Sequence, residues 1–489
     1  ISENFRRYGY DEANSTFSSV DYTSTFPQYS FPASRQQVPN PDTRSELFDR
    51  FVSFYASGSY TYADTYTLSG SVRKDQSNLF GVRANQRGVP LWSAGLAWMI
   101  DRESFYPFDF LPVLKLRASF GYNGNIDRSL SALTTASYFP SSQSILNVPS
   151  ARIINSPNPG LSWERSQMLN LGLDFGSRAS RITGSLDVFF KKGINLIGLQ
   201  PYAPSTGITL FRGNTANTRG RGFDVMLNSI NTKGRVNWST SLMASYARDV
   251  VSRYFVESPS GNLVAEGQFG TSPFVGKPLY ALYSYPWRGL NPETGDPAGL
   301  INGERSEDYA AIVSSTPASE LVYSGPTRPQ VFGALRNTVS YRNFSASLNI
   351  AYRLGYFYRA RGIFYTNVLM GQGYPYGQYA DRWQKPGDES RTQVPGLPAG
   401  QDFARDQFYN YSEILAKRAD NIRLQDATLS YALPVSPLKK WGISGCELYL
   451  YANNLGILWK ATPGRIDPDY VIDDFPPTRT LAAGLKLNF

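Results

Sequence analysis

The stretch TLAAGLKLNF, residues 480–489, has two faces. Leu481, Ala483, Leu485, Leu487 and Phe489 alternate with Thr480, Ala482, Gly484, Lys486 and Asn488. Successive strand side chains point to opposite sides, so the run predicts a strand with one apolar and one polar face. Two architectures use such a strand. A soluble sandwich buries the apolar face in its core, whereas an outer-membrane barrel turns it to lipid and keeps the polar face on a lumen. One strand does not choose between them.

The same alternation recurs along the chain. FSASLNIAYRL at 344–354, VNWSTSLMASYA at 236–247, ITGSLDVFFK at 182–191, LKLRASFGY at 114–122 and LNLGLDF at 169–175 all carry it. Most of these runs are about ten residues, the length a tilted strand needs to cross a bilayer, whereas soluble strands average about five or six. Their polar faces hold Lys115, Arg117, Asp174, Asp187, Asp224 and Arg353. A sealed sandwich core does not tolerate such groups unpaired.

Composition agrees. In 489 residues, hydrophobic types make up 41% and mean hydropathy is −0.33, with no apolar run long enough for a transmembrane helix. A barrel passes that test unseen, because its apolar residues alternate with polar ones. The 33 Tyr and 29 Phe suit strands and interfacial girdles. Cys446 has no cysteine to pair with, so there is no internal disulfide. The absence of histidine removes Ser-His-Asp and Cys-His catalysis and His-ligated metals. The net charge of +9 is scattered, with Lys-Lys pairs only at 191–192 and 439–440, so a nucleic-acid partner is not expected. ISENFRRYGY at the start has no basic region followed by an apolar core, so export implies a start upstream of Ile1.

Candidate strands fall at 51–62, 66–75, 91–101, 112–123, 163–176, 181–192, 219–231, 235–249, 330–341, 343–354, 416–433, 445–455 and 479–489. The stretch 416–433 alternates least well. Connections alternate between short ones near 63–65, 102–111, 177–180, 232–234, 342 and 434–444, and long ones at 76–90, 124–162, 193–218, 250–329, 355–415 and 456–478. Short periplasmic turns and long external loops are the barrel pattern. It holds only if YALYSYPWRGL at 280–290 stays in a loop. The fold expected is all-β, an antiparallel transmembrane barrel with about 13 strands in this chain. Residues 1–45 then form an external loop and 46–489 the carboxyl-terminal part of the barrel. Single-chain bacterial barrels have even strand numbers, so an odd count implies further strands before Ile1.

With these features in place, the chain resembles the carboxyl-terminal half of the SusC/RagA-type TonB-dependent transporters of Bacteroidetes outer membranes. The likeness runs from about residue 45 to 489. It is carried by SYTYADTYTLSGSVRKDQSNLFG at 59–81, LWSAGLAWMIDRESF at 91–105, LKLRASFGYNGN at 114–125, NPGLSWERSQMLNLGLDFG at 158–176 and GKPLYALYSYPWRGLNPETGDP at 276–297. RLQDATLSYALP, LYLYANNL and DPDYVIDDFPPTRTLAAGLKLNF complete it in family order. Each motif is weak alone; their number and order carry the match. The resemblance implies a barrel of about 22 strands, a plug domain and TonB-contacting segment absent from this chain, and import of an oligosaccharide or oligopeptide driven through TonB. It also implies a SusD-like surface lipoprotein as partner. Two other functions stay open: a passive porin, and a TonB-dependent siderophore or vitamin receptor. A soluble β-sandwich adhesin is the third alternative, and it would show no continuous apolar belt.

No nucleotide loop, zincin motif or Cys-x-x-Cys pair is present, so neither enzyme activity nor a cofactor is expected. Asp467, Asp469, Asp473 and Asp474 form an acidic cluster that lacks the central Gly and terminal Glu of a calcium hand. It reads as a solvated turn. GYPYGQYADRWQKPGDE at 373–389 places Tyr374, Tyr376, Tyr379 and Trp383 in a long external loop. Aromatics with polar tips stack on sugars and grip peptides, so these four are candidates for substrate or partner contact. The competing expectation is that they pack the loop. Trp92, Trp98, Trp238, Tyr246, Tyr352 and Phe489 are expected to form interfacial girdles.

Overall fold

Alternating side chains and turn residues fold this chain into hairpins joined edge to edge. The computed structural model describes residues 2–11, 27–31, 34–37, 43–77, 88–125, 130, 134–139, 148, 150–155, 158, 160–201, 210–255, 260–267, 270–372, 377–434, 440, 442–464, 466–471 and 476–488. The long strands are β1 (Ser2–Asp11), β2 (Thr43–Tyr62), β3 (Tyr66–Ser77), β4 (Gly88–Met99), β5 (Val113–Asn125), β6 (Glu164–Gly176) and β7 (Ile182–Pro201). They continue as β8 (Leu210–Thr232), β9 (Val236–Tyr254), β10 (Val331–Tyr341), β11 (Phe344–Leu354), β12 (Asn421–Ala432), β13 (Gly445–Lys460) and β14 (Thr480–Asn488). They hydrogen-bond in chain order in one 14-stranded sheet, and each pairing described is antiparallel, as short hairpin connections require.

Two compact units divide the chain. The first comprises Ile1–Ala56, Val72–Leu91 and Asp127–Trp163, and in it β1 pairs with β2 from Ser2 opposite Val52 to Asp11 opposite Thr43. The second comprises Ser57–Ser71, Trp92–Ile126 and Glu164–Phe489 and holds β5 to β14.

Each expected strand has a counterpart, and β1 is an addition. The segment 1–45, expected as loop, contains this strand, which pairs with Thr43–Val52 across the end of that segment. Strand lengths also differ. β7, β8 and β9 have 20, 23 and 19 residues, so much of 193–218 is a long hairpin rather than a loop. Its pattern is hidden because GNTANTRG at 213–220 is polar on both faces, and because register shifts fall between Gly193 and Leu196 and between Leu196 and Ile197. The stretch 416–433 splits. Ala416–Arg418 pairs with Phe357–Arg359, and only β12 joins the large sheet. Asp420 makes the break: its carboxylate accepts from the Gly355 N–H at 2.6 Å and pairs with Arg418. Ala281–Ser284 stays out of the large sheet, as expected for 280–290, and pairs with Val322–Pro326.

Tight turns close the hairpins. Between β2 and β3, Ala63 and Asp64 both have positive φ, 50° and 53°, and the Thr65 N–H donates to the Tyr62 carbonyl at 3.0 Å. Two left-handed residues in a two-residue turn match the right-handed twist of the strands. Arg342 between β10 and β11 is also left-handed, at φ 52°.

The buried core of the second unit is not under the sheet. It is built by the long connections after β9 and β11, whose helices Tyr309–Ser315 and Phe403–Asn410 pack Ile312 and Phe408 against Tyr285, Trp287 and Tyr409. The sheet leaves its apolar face open: Leu348 is 50% exposed, Leu450 58% and Leu481 80%. No helix among the described residues is long and apolar enough to cross a membrane.

Candidate functional site

The polar face of the sheet carries charges that are paired across strands. Arg117 on β5 reaches over Gly172 on β6. Its Nε and one terminal nitrogen donate to Asp174 at 2.9 and 2.8 Å, and that nitrogen also donates to Asp187 on β7 at 3.1 Å. Gly172 is the register partner of both Arg117 and Asp187, and a Cβ there would lie 2.7 Å from the Arg117 guanidinium carbon. Any side chain there would make the Arg117 guanidinium and the Asp187 carboxylate shift. Asn170 donates to Asp187 at 3.0 Å and Ser245 to Asp224 at 2.6 Å. Farther round the sheet, Arg336, Asn349 and Asp426 occupy one register row. Arg336 and Asn349 donate to the Asp426 carboxylate at 3.0 and 2.7 Å. Of the charges expected on the polar face, Arg117, Asp174, Asp187, Asp224 and Arg353 thus have partners, and Lys115 has none among the described residues. Arg336 and Asp426 were missed, although alternation in VFGALRNTVSY places Arg336 with Phe332, Ala334 and Thr338.

Two of the four acidic residues, Asp467 and Asp469, do not sit in a solvated turn. Asp467 and Asp469 side chains are 14% and 9% exposed and face Arg423, itself 7% exposed. Arg423 donates to them at 2.6 and 2.7 Å, and Arg353 meets Asp469 at 2.6 Å. The Tyr356 hydroxyl donates to Asp469 at 2.6 Å and accepts from Asn421 at 2.9 Å. Two guanidinium groups sit where a cation would, so these carboxylates clamp the connection after β13 to the sheet. Asp473 and Asp474 lie outside the described residues. Among the described residues no group of three His, Cys, Asp or Glu side chains is placed to hold a metal.

The long connections after β9 and β11 share an aromatic core. Trp383 belongs to it at 9% exposure, its indole N–H donating to Glu389 at 3.1 Å. Left-handed Gly295 (φ 72°) lies flat against the indole, where a Cβ would come within 2.2 Å of the ring. The exposure expected of Trp383 is not found; it holds the loop together. Tyr379 is half-buried, and the Arg382 guanidinium stacks 4.1 Å from its ring. Tyr374 and Tyr376 lie outside the described residues. Burial pushes the phenols of Tyr283 and Tyr365 up to about 12. It also lowers Arg359 to about 10; that guanidinium donates to the Ala265 carbonyl at 2.6 Å and lies 4.8 Å from the Tyr411 ring.

The apolar face carries aromatics near both strand ends. Trp92, Phe120 and Tyr122 cluster at the end of the long connections, with centroids 5.4 to 5.7 Å apart. At the tight-turn end, Trp98 stacks on Tyr66 at 6.3 Å and Phe344 meets Tyr431 at 4.6 Å. Trp238 is there too, its indole N–H on Asn337 at 3.0 Å, while Tyr246 meets Phe223 at 5.7 Å. Phe489 is outside the described residues.

Comparison with known proteins agrees with this geometry. The family model described as TonB dependent receptor-like, beta-barrel, matches residues 2–455. The TonB-dependent receptor P26 of Formosa agariphila is 25% identical over 90% of this chain and 46% of its own length. The TonB-dependent receptor SusC of Bacteroides thetaiotaomicron is 23% identical over 100% of this chain and 47% of its own length. The structure of the RagAB peptide transporter superposes with a TM-score of 0.73 at 19% identity, covering 93% of this chain and 49% of that one, which shows a common fold. The chain spans about half the length of the curated relatives it matches. A polar face of cross-strand ion pairs, an open apolar face between aromatic rows and a family match over nearly the whole sequence lead to one conclusion: the chain belongs to the TonB-dependent receptor β-barrel family.

Proposed function

We propose that this chain supplies about half the wall, and several external loops, of an outer-membrane transporter that imports a nutrient with energy delivered through TonB. The observation that carries the reading is the sheet itself: one face fit for lipid, the other lined by ion pairs already neutralised within the wall. Charges paired in this way keep the wall wet and hold a passing charged solute less tightly than lone charges would.

The substrate class is an oligopeptide or oligosaccharide. The similarity to SusC and to the RagAB peptide transporter supports it, and a SusD-like surface lipoprotein is the partner that the same relatives suggest. Residues 1–45 are proposed as an external loop of the barrel and 46–489 as its carboxyl-terminal transmembrane part. Tyr374, Tyr376 and Tyr379 are proposed to meet substrate or lipoprotein, with Trp383 as their internal anchor. The wall performs no covalent chemistry in this reading.

The test is uptake by cells carrying the full-length transporter, offered labelled oligopeptides and oligosaccharides with and without functional TonB. TonB-dependent uptake of one class supports the proposal. Equal uptake after TonB loss would make the protein a passive channel.

A further inference from the structure

Two register rows on the apolar face change character at the long-connection end. One row runs Phe120, Leu169, Phe190, Arg221, Arg248 across β5 to β9. The next, one pleat closer to the long connections, runs Tyr122, Gln167, Lys192, Arg219, Val250. Below them the face is apolar, with Leu171, Val188, Phe223 and Tyr246 in register.

Arg221 is therefore directly opposite Arg248, and Lys192 directly opposite Arg219. Like charges directly across a strand pair are destabilising. Neither row contains a carboxylate. All four side chains are exposed, and among the described residues none of the four heads has a hydrogen-bonding or ion-pair partner. On the polar face Arg117 and Arg336 are paired with carboxylates in neighbouring strands; this corner of the apolar face leaves four cations together. The sequence shows the Lys-Lys pair at 191–192 but not the convergence, which needs the register.

The place decides what could neutralise them. These rows lie at the height of the Trp92, Phe120 and Tyr122 cluster, where ring dipoles favour the boundary between hydrocarbon and head groups. They border a hollow of about 640 Å³ whose lining includes Phe120, Leu169 and Phe190 as well as Arg219, Arg221 and Arg248. The long connections mark this end as external. We propose that the hollow binds a phosphorylated, acylated lipid of the outer leaflet, with its phosphates on Lys192, Arg219, Arg221 and Arg248 and its chains on Phe120, Leu169 and Phe190. Guanidinium forks match phosphate oxygens in geometry and charge, and one ligand would relieve both like-charge pairs. The site lies on the lipid side of the wall, so it is separate from the import path and does not depend on the substrate proposed above.

The test uses the full-length transporter, stripped of lipid in a non-ionic maltoside detergent. Native mass spectrometry would measure binding of diphosphoryl lipid A, of the same acylated disaccharide without phosphates, and of inorganic phosphate. Wild type should retain diphosphoryl lipid A at least about a hundredfold more tightly than either control. Replacing Lys192, Arg219, Arg221 and Arg248 by Gln should abolish that difference while heat resistance in gels is kept. Changing the three arginines to Lys should retain most of it, as should Lys233→Gln with Arg235→Gln at the opposite end. Equal binding by wild type and the Gln variant would overturn the proposal. So would equal binding of the phosphate-free lipid, or a wild type that binds none of the probes. If the Gln variant fails to assemble, the Lys variant decides: loss of lipid A binding in an assembled Lys variant with all charges retained would also overturn it.

Discussion

Leu348 and Asn349 are neighbours in β11 and should respond oppositely to the same substitution. Leu348 points to the apolar face midway between Phe344 and Tyr352, aromatics four residues to either side. Eight residues of strand span about 27 Å, or about 20 Å of depth at a tilt of about 40°. Leu348 is therefore near the middle of an apolar band about 25 Å tall. Its row continues through Ala427, Ala452 and Leu481, none of which can pair with a charge. Leu348→Arg should destabilise the assembled barrel by about 2–4 kcal/mol. Asn349→Arg puts the same guanidinium on the wet face beside Asp426, already contacted by Asn349 at 2.7 Å. A new pairing there replaces the lost hydrogen bond but sets the guanidinium opposite Arg336, so the change should cost about 1 kcal/mol, well below the cost of Leu348→Arg. The assay is reversible urea unfolding of the full-length protein in lipid vesicles, followed by tryptophan fluorescence. Equal losses from both variants would refute the assignment of faces, and a larger loss from Asn349→Arg would reverse it.

Other outcomes follow from the same contacts. Gly172→Val should force Arg117 off Asp187 and cost about 1–3 kcal/mol, read as a lower temperature of gel-mobility shift; no shift would mean that Arg117 does not cross that strand. Asp469→Ala should leave nearly buried Arg423 with Asp467 alone and cost about 3 kcal/mol, appearing as new protease cleavage between residues 456 and 471. Alkaline pH should loosen the loop core. Tyr283 and Tyr365 have folded pKa values of about 12, raised by burial from 10.0, so their contribution is complete below pH 10 and is lost as pH rises through about 12. Arg359, lowered to about 10 by burial, works against this between its folded and ordinary values, but it is one group opposed by several buried phenols. The tyrosinate absorbance that the full-length protein loses on Tyr283→Phe and Tyr365→Phe should appear only above pH 10; if it appears gradually from pH 9, these phenols are not sealed.

Strands were legible wherever one face meets lipid and the other water, because that contrast writes a period of two into the residues. LKLRASFGY and FSASLNIAYRL are such cases. The pattern fades where both faces carry polar residues, as in GNTANTRG, so the extension of β8 could not be read although its backbone pairing continues. A similar limit hid the loop core. Tyr285, Trp287, Trp383 and Phe408 are scattered over more than 120 positions, and only packing brings them together. Trp383 was recognised as a notable aromatic, but composition cannot distinguish a ring offered to a ligand from one that fills a core. The acidic cluster failed for a related reason: Asp467 and Asp469 look solvated until Arg353 and Arg423 arrive from strands more than 40 positions away.

The ion pairs of the polar face also bear on why the sheet has one register. A slip of one residue in β10 to β14 would turn Leu348, Leu450 and Leu481 to the lumen. It would bring Arg336 and Asp426 to lipid, each charge costing about 2–4 kcal/mol for a base, and less for an acid, near the midplane. A slip of two residues keeps the faces but separates the row Arg336, Asn349 and Asp426, leaving the nearly buried Asp426 carboxylate without its donors. The alternation thus excludes odd slips and the cross-strand pairs exclude even ones. Gly172 adds to this, since a side chain there would displace Arg117 from its path across β6. The groups that make this face polar are therefore among those that fix which strand residues lie on it.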